Sequence, residues 1–138
     1  MRRIIVEWQH LVENDLTCQR CSSTEINLTE AMKLLNKELI HKNITLKLVE
    51  TKLSCDDIKL SNRILIDGKA IEDILDLKVA YSYCQTCSTL IGHSTCCRTI
   101  LYHENEYEEV PVVAIIEAIN LYLNIRSNNA PSIYLNRF

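Results

Sequence analysis

Residues 2–21 read RRIIVEWQHLVENDLTCQRC, an alternating run that ends, after a polar stretch, in two cysteines separated by two residues. Ile4, Val6 and Trp8 alternate with Arg3 and Glu7, the period of a half-buried strand. LTCQRCSSTEIN (16–27) reads as a polar loop carrying the dithiol. LTEAMKLLNKELIHK (28–42) then sets Leu28, Met32, Leu35 and Leu39 at helical spacing, with Asn27 and Glu30 as an N-cap pair. ITLKLVE (44–50) alternates again. A strand, a helix and a second strand predict a βαβ unit with parallel pairing.

Beyond this unit, RILIDGKAIEDIL (63–75) predicts a hairpin: Ile64 and Ile66 alternate, Asp67-Gly68 turns the chain, and Ala70 to Ile74 returns. A cysteine-rich insert over about 76–98 follows. RTILYHENEYEEVP (98–111) reads as a second hairpin or a continuation of the sheet, with Tyr102 and Tyr107 facing each other. Pro111, behind Glu108 and Glu109, opens a helix whose apolar face is Val112, Ile115, Ile116, Ile119 and Leu123. RSNNAPSIYLNRF (126–138) predicts a loop and a short apolar segment. No linker interrupts the order, so residues 1–138 are expected to form one domain.

Composition narrows the function. The chain is 47% hydrophobic with a net charge of −3, enough for a real core and too acidic for phosphate binding, so no nucleic-acid partner is expected. Arg2, Arg3 and Glu7 break up an export signal, and VPVVAIIEAINLYL (110–123) is too short for a bilayer; a cytoplasmic protein off the membrane is expected. Two glycines leave no phosphate-binding loop, and no serine–histidine–acid set is present. Seven cysteines in such a compartment turn attention to metal or redox chemistry rather than structural disulfides.

The densest group is YSYCQTCSTLIGHSTCCR (81–98), with Cys84-x2-Cys87-x8-Cys96-Cys97 and His93. Four thiolates this close suit a tetrahedral zinc site. The span resembles a zinc knuckle, C-x2-C-x4-H-x4-C, with the histidine one position late. Successive side chains on extended backbone face opposite ways, so one of Cys96 and Cys97 ligates while the other packs or reacts elsewhere. Two ligand sets stand: Cys84, Cys87 and Cys97 with His93, or Cys84, Cys87, Cys96 and Cys97. A redox alternative makes Cys84 and Cys87 a second dithiol, and a structural one buries them inertly. Cys55 reads as a lone loop thiol, His10 as a strand-end histidine beside the first dithiol, His41 as a helix-end residue, and Trp8 as core.

The first CxxC has its own chemistry. Two cysteines at this spacing close a small disulfide, and Arg20 beside Cys21 stabilises a thiolate. VEWQHLV, TCQRC, the Glu50-Thr51 step, SNRILIDGKAIEDIL, CQTC, CCRTILY and YEEVP together resemble an uncharacterised thioredoxin-like family over nearly the whole chain. That resemblance implies an α/β thioredoxin-like fold: a central mixed sheet flanked by helices, with the cysteine-rich insert before the last strands and a C-terminal helix. It implies Cys18 as attacking and Cys21 as resolving thiol. This chain departs from thioredoxins in placing SSTEIN before the strongest helix signal and Ser61-Asn62 where they carry a cis-proline.

The expected function is therefore thiol–disulfide exchange at Cys18 and Cys21, as an oxidoreductase, with the distal cluster as relay or metal site. The alternative is non-catalytic capture of zinc or a heavier soft metal or metalloid through both clusters. The expected partner is a redox protein or a soft metal ion; oligomeric state stays open.

Overall fold

The computed structural model describes residues 2–127. The C-terminal loop and apolar segment expected from the last residues lie, from 128 on, outside that range. Strand β1 (Arg2–Leu11) runs parallel to β2 (Ile44–Leu53) in unbroken register from Arg2↔Ile44 to Leu11↔Leu53. On its other side β1 pairs antiparallel with β3 (Arg63–Ile66), and β3 with the short β4 (Lys69–Ala70), giving a mixed sheet in the order β2-β1-β3-β4. Ile4, Val6, Trp8 and His10 all point to the buried face of β1, as the two-residue period requires.

The Asp67-Gly68 turn has φ of 48° and 85°, the left-handed pair of a type I′ hairpin. Asp67 adds a second function, its carboxylate accepting from the Ile5 N–H at 2.8 Å and the Tyr122 hydroxyl at 2.7 Å. The return arm is shorter than the sequence predicts. After two residues it becomes helix α2 (Ile71–Ile74), with Glu72 and Asp73 in the first turn, where acids suit the dipole.

Helix α1 (Gln19–Leu39) begins directly after Cys18, nine residues earlier than its apolar periodicity suggests. The expected loop is helical because its polar residues are used in packing. The Thr24 hydroxyl accepts from the Val110 N–H at 3.0 Å, and Asn27, expected as a cap, donates mid-helix to the Val110 carbonyl at 2.9 Å. The predicted apolar face continues N-terminally through Cys21 and Thr24. A short 3-10 turn, Ile40–Lys42, follows and carries His41.

A second sheet, β5-β6-β7, is antiparallel throughout: β5 (Lys78–Tyr83), β6 (Cys96–Tyr102) and β7 (Asn105–Tyr107). The expected second hairpin is β6-β7, turning at His103 and Glu104 with φ of 49° and 68°. Tyr102 and Tyr107 lie diagonal to one another, ring centroids 6.3 Å apart. Within the cysteine-rich stretch, β5, helix α3 (Gln85–Ile91) and the start of β6 are all regular structure.

Helix α4 (Val112–Ser127) follows Pro111 and packs against α1. Ala114 and Ala118 are fully buried beside Ile115 and Ile119, and their small side chains let the helix approach closely. Val112 and Ile116, expected on that face, are only half-buried. No helix of the described residues is long and apolar enough to cross a membrane.

The second sheet meets α4 where the Tyr102 hydroxyl donates to Glu117 at 2.6 Å. Burial, with that carboxylate beside it, pushes the phenol up to about 12. The folded state therefore holds this proton more tightly than the unfolded chain, whose tyrosine titrates near 10.0. The resulting stability is complete below that value and lost as pH rises toward 12. Denaturant unfolding should show wild type losing stability between pH 10 and 12 faster than Tyr102→Phe; parallel curves would remove the effect.

Candidate metal centre

Two helix N-termini and one strand converge on a group of sulfurs. Cys18 is the N-cap residue of α1, with extended backbone, and its carbonyl accepts the first helical bond from the Ser22 N–H at 3.0 Å. Cys84 holds the same place on α3, its carbonyl accepting from the Ser88 N–H at 2.9 Å. Cys21 and Cys87 are each the third helical residue after their caps. The two CxxC motifs are thus built alike.

Cys97 comes from β6. The register Ser82↔Cys97 and the Cys84 N–H bond to the Thr95 carbonyl at 3.0 Å place it beside the start of α3. Gly92 ends α3 at φ 94°, the left-handed cap that lets the chain reverse into β6. Ser88 fastens the reversal, accepting from the Thr95 N–H at 2.8 Å and donating to the Cys84 carbonyl at 2.8 Å.

The Sγ atoms of Cys18, Cys84, Cys87 and Cys97 all lie within 4.8 Å of one another, and all four residues are buried. A tetrahedral ion with metal–sulfur bonds of about 2.3 Å needs sulfurs roughly 3.8 Å apart, so a small contraction forms the coordination shell. Four sulfurs without nitrogen or oxygen suit a thiophilic ion.

The other candidates sit elsewhere. Cys96 is exposed on the opposite face of β6, as alternation along the strand demands. His93 is exposed after α3, its Nδ1 3.2 Å from the Ser94 carbonyl. Both ligand sets read from the distal motif therefore differ from the four sulfurs the fold brings together: Cys18 stands where His93 or Cys96 was expected. Cys21 is fully buried outside the group, 3.3 Å from the Ser61 hydroxyl. Cys55 is exposed in a 3-10 segment, Cys55–Leu60.

Charge is unevenly shared among the sulfurs. Donation from the Cys21 thiol, then from Cys87 and Cys97, holds Cys18 far below the ordinary thiol value despite burial. The same contact with Cys18, reinforced by burial, pushes Cys21 up. Cys87 and Cys97 are also pushed up, chiefly by Cys18. With the thiolate favoured at Cys18 and the thiol favoured at Cys87 and Cys97, entry of a cation has to release protons.

Arg20, expected from its position to stabilise a thiolate of the dithiol, has a wider set of partners. It is buried and bonds the Cys97 carbonyl at 3.2 Å, the Tyr83 carbonyl at 2.7 Å, the Ser82 hydroxyl at 3.0 Å and Glu108 at 3.1 Å. It ties α1 to β5 and to β6, which carries Cys97, and sets a positive charge beside the sulfurs. Its position between two cysteines in sequence was the available signal, since a buried arginine needs several acceptors. Ser61 holds two roles, its hydroxyl accepting from the Leu11 N–H at 2.9 Å while touching Cys21. Asn62 beside it sits at φ 69° and donates from its backbone to the Gln9 carbonyl at 2.7 Å, a bond a proline there would lack. His10 is stacked on Trp8, centroids 3.7 Å apart, and bonds Thr17 at 3.0 Å and Glu50 at 2.6 Å.

Residues 4–119 match a family model described as a domain of unknown function (DUF2703). An uncharacterised protein from Archaeoglobus fulgidus is 29% identical over 86 residues, covering 59% of this chain and 63% of that protein. The chain thus matches less than two thirds of the length of this curated relative. No solved structure matches.

Proposed function

The chain belongs to the DUF2703 family, and we propose that it binds a thiophilic metal ion through Cys18, Cys84, Cys87 and Cys97, with zinc as the ordinary occupant and heavier soft metals as competitors. The observation that carries this is the meeting of four buried sulfurs from three separate elements within 4.8 Å. A hydrophobic core has no need of four thiols at one point, and thiolates are the donors soft ions select. Arg20 offsets part of the negative charge that four thiolates leave around a divalent ion.

Within this reading the chain is one thioredoxin-like domain. The sheet order β2-β1-β3-β4, parallel then antiparallel, and a CxxC opening the first helix support it. The remaining sheet then serves to carry Cys84, Cys87 and Cys97 to that CxxC. A second reading, thiol–disulfide exchange with Cys18 attacking and Cys21 resolving, is favoured by the depressed Cys18 thiol at a helix N-terminus.

Titration of reduced, metal-stripped protein with cadmium under nitrogen should give thiolate charge-transfer absorption that saturates at one equivalent. Zinc should compete for the same equivalent. No saturable absorption, or saturation unchanged in Cys18→Ser, would sink the metal reading.

A further inference from the structure

Cys18 belongs to two constellations at once. It supplies one corner of the four-sulfur group, and it is the first thiol of the pair completed by Cys21. The two lie three residues apart across the start of α1, with their thiols in contact. Cys21 is the single buried cysteine outside the four, held by the Ser61 hydroxyl at 3.3 Å. A metal engages all four ligand sulfurs and leaves Cys21 a free thiol beside one of them.

We propose that a hydroperoxide switches this centre off by joining Cys18 to Cys21, so that disulfide formation and metal binding exclude each other. This rests on the metal-binding reading above. The Cys18 thiolate attacks the hydroperoxide, breaking its O–O bond; the sulfur becomes a sulfenic acid, and the other oxygen leaves as an alcohol, or water from hydrogen peroxide, after taking one proton. The Cys21 thiol then condenses with the sulfenic acid, forming the S–S bond and releasing water. The two cysteines lose two electrons and the peroxide gains them. The ion, left with Cys84, Cys87 and Cys97, dissociates as those sulfurs take protons from water. A dithiol reductant reverses the change.

Solvent reaches the neighbours of Cys18 at the start of α1. An opening of about 340 Å³ lies at the two helix N-termini, lined by Gln19, Arg20, Tyr83, Cys84 and Gln85 among others. Cys84 and Cys87 share the CxxC geometry, but both are ligands, so a disulfide there would need two bound sulfurs to leave the ion. The Cys18–Cys21 pair needs one.

The test uses the full chain loaded with one zinc, with Cys55→Ser and Cys96→Ser in place so that exposed thiols do not consume oxidant. Loading itself decides the underlying reading before any oxidant is added. Hydrogen peroxide should then release zinc to a chromophoric chelator at the rate at which peptide mapping finds a Cys18–Cys21 disulfide, and dithiothreitol should restore binding. Cys21→Ser and Cys21→Ala should load the same zinc and release it at least roughly tenfold more slowly, without recovery. Equal release rates, a disulfide mapped to Cys84–Cys87, or zinc retained by Cys18–Cys21-oxidised protein would each overturn the switch. Failure of both Cys21 variants to load zinc would place Cys21 within the site and overturn it as well.

Discussion

Cys87→Ser should weaken zinc binding by about 100- to 1000-fold, while Cys96→Ser should leave it unchanged. Structural zinc in small thiolate sites binds with roughly 10–16 kcal/mol, so each of four ligands carries on the order of 3 kcal/mol, and 1.4 kcal/mol is a factor of ten. Cys87 is the sharpest choice because it is fully buried, with no route by which solvent can replace the lost sulfur. Cys96 is its control: neighbour to a ligand in sequence, exposed on the far face of β6 in space. Competition against a chromophoric chelator reads both. Equal losses would mean that proximity in sequence, not the four-sulfur arrangement, governs binding.

Arg20→Met should destabilise the metal-free protein by about 3 kcal/mol. The guanidinium bonds two carbonyls, of Cys97 and Tyr83, and both bonds are lost with the charge; a hydrogen bond to a charged group contributes about 1.5–3 kcal/mol. Glu108, its ionic partner, is 62% exposed, so Glu108→Ala should cost less than about 1 kcal/mol. The contrast separates the roles: the backbone bonds carry the effect and the surface ion pair does not. Arg20→Lys should recover little, since an ammonium cannot span the four acceptors the planar fork reaches. Urea unfolding in chelator gives all three values. An Arg20→Met midpoint equal to wild type would show that the strands hold their places without the clamp.

Residue chemistry alone determined a good deal of this protein. The alternation of Ile4, Val6 and Trp8 made β1 readable because a pleated strand repeats every two residues. Asp67-Gly68 marked its turn because both positions take positive φ, which these residues tolerate. Leu28 to Leu39 revealed the second half of α1 but not its beginning, since Cys21, Thr24 and Asn27 interrupt the apolar period. Thr24 and Asn27 are held in the helix by bonds to Val110, 83 or more positions away, and no local pattern encodes such a partner.

The cysteines divide in the same way. Their spacing announced thiol chemistry, and strand alternation required Cys96 and Cys97 to part. Which one turned inward depended on the face of β6 that meets the core. That Cys18 would join the distal three, while Cys21 stayed apart, depended on two helix N-termini being packed point to point by Arg20 and the β5–β6 register. Sequence spacing fixes distances only along the chain. The four sulfurs meet across it, in a geometry set by α1, α3 and β6 coming together.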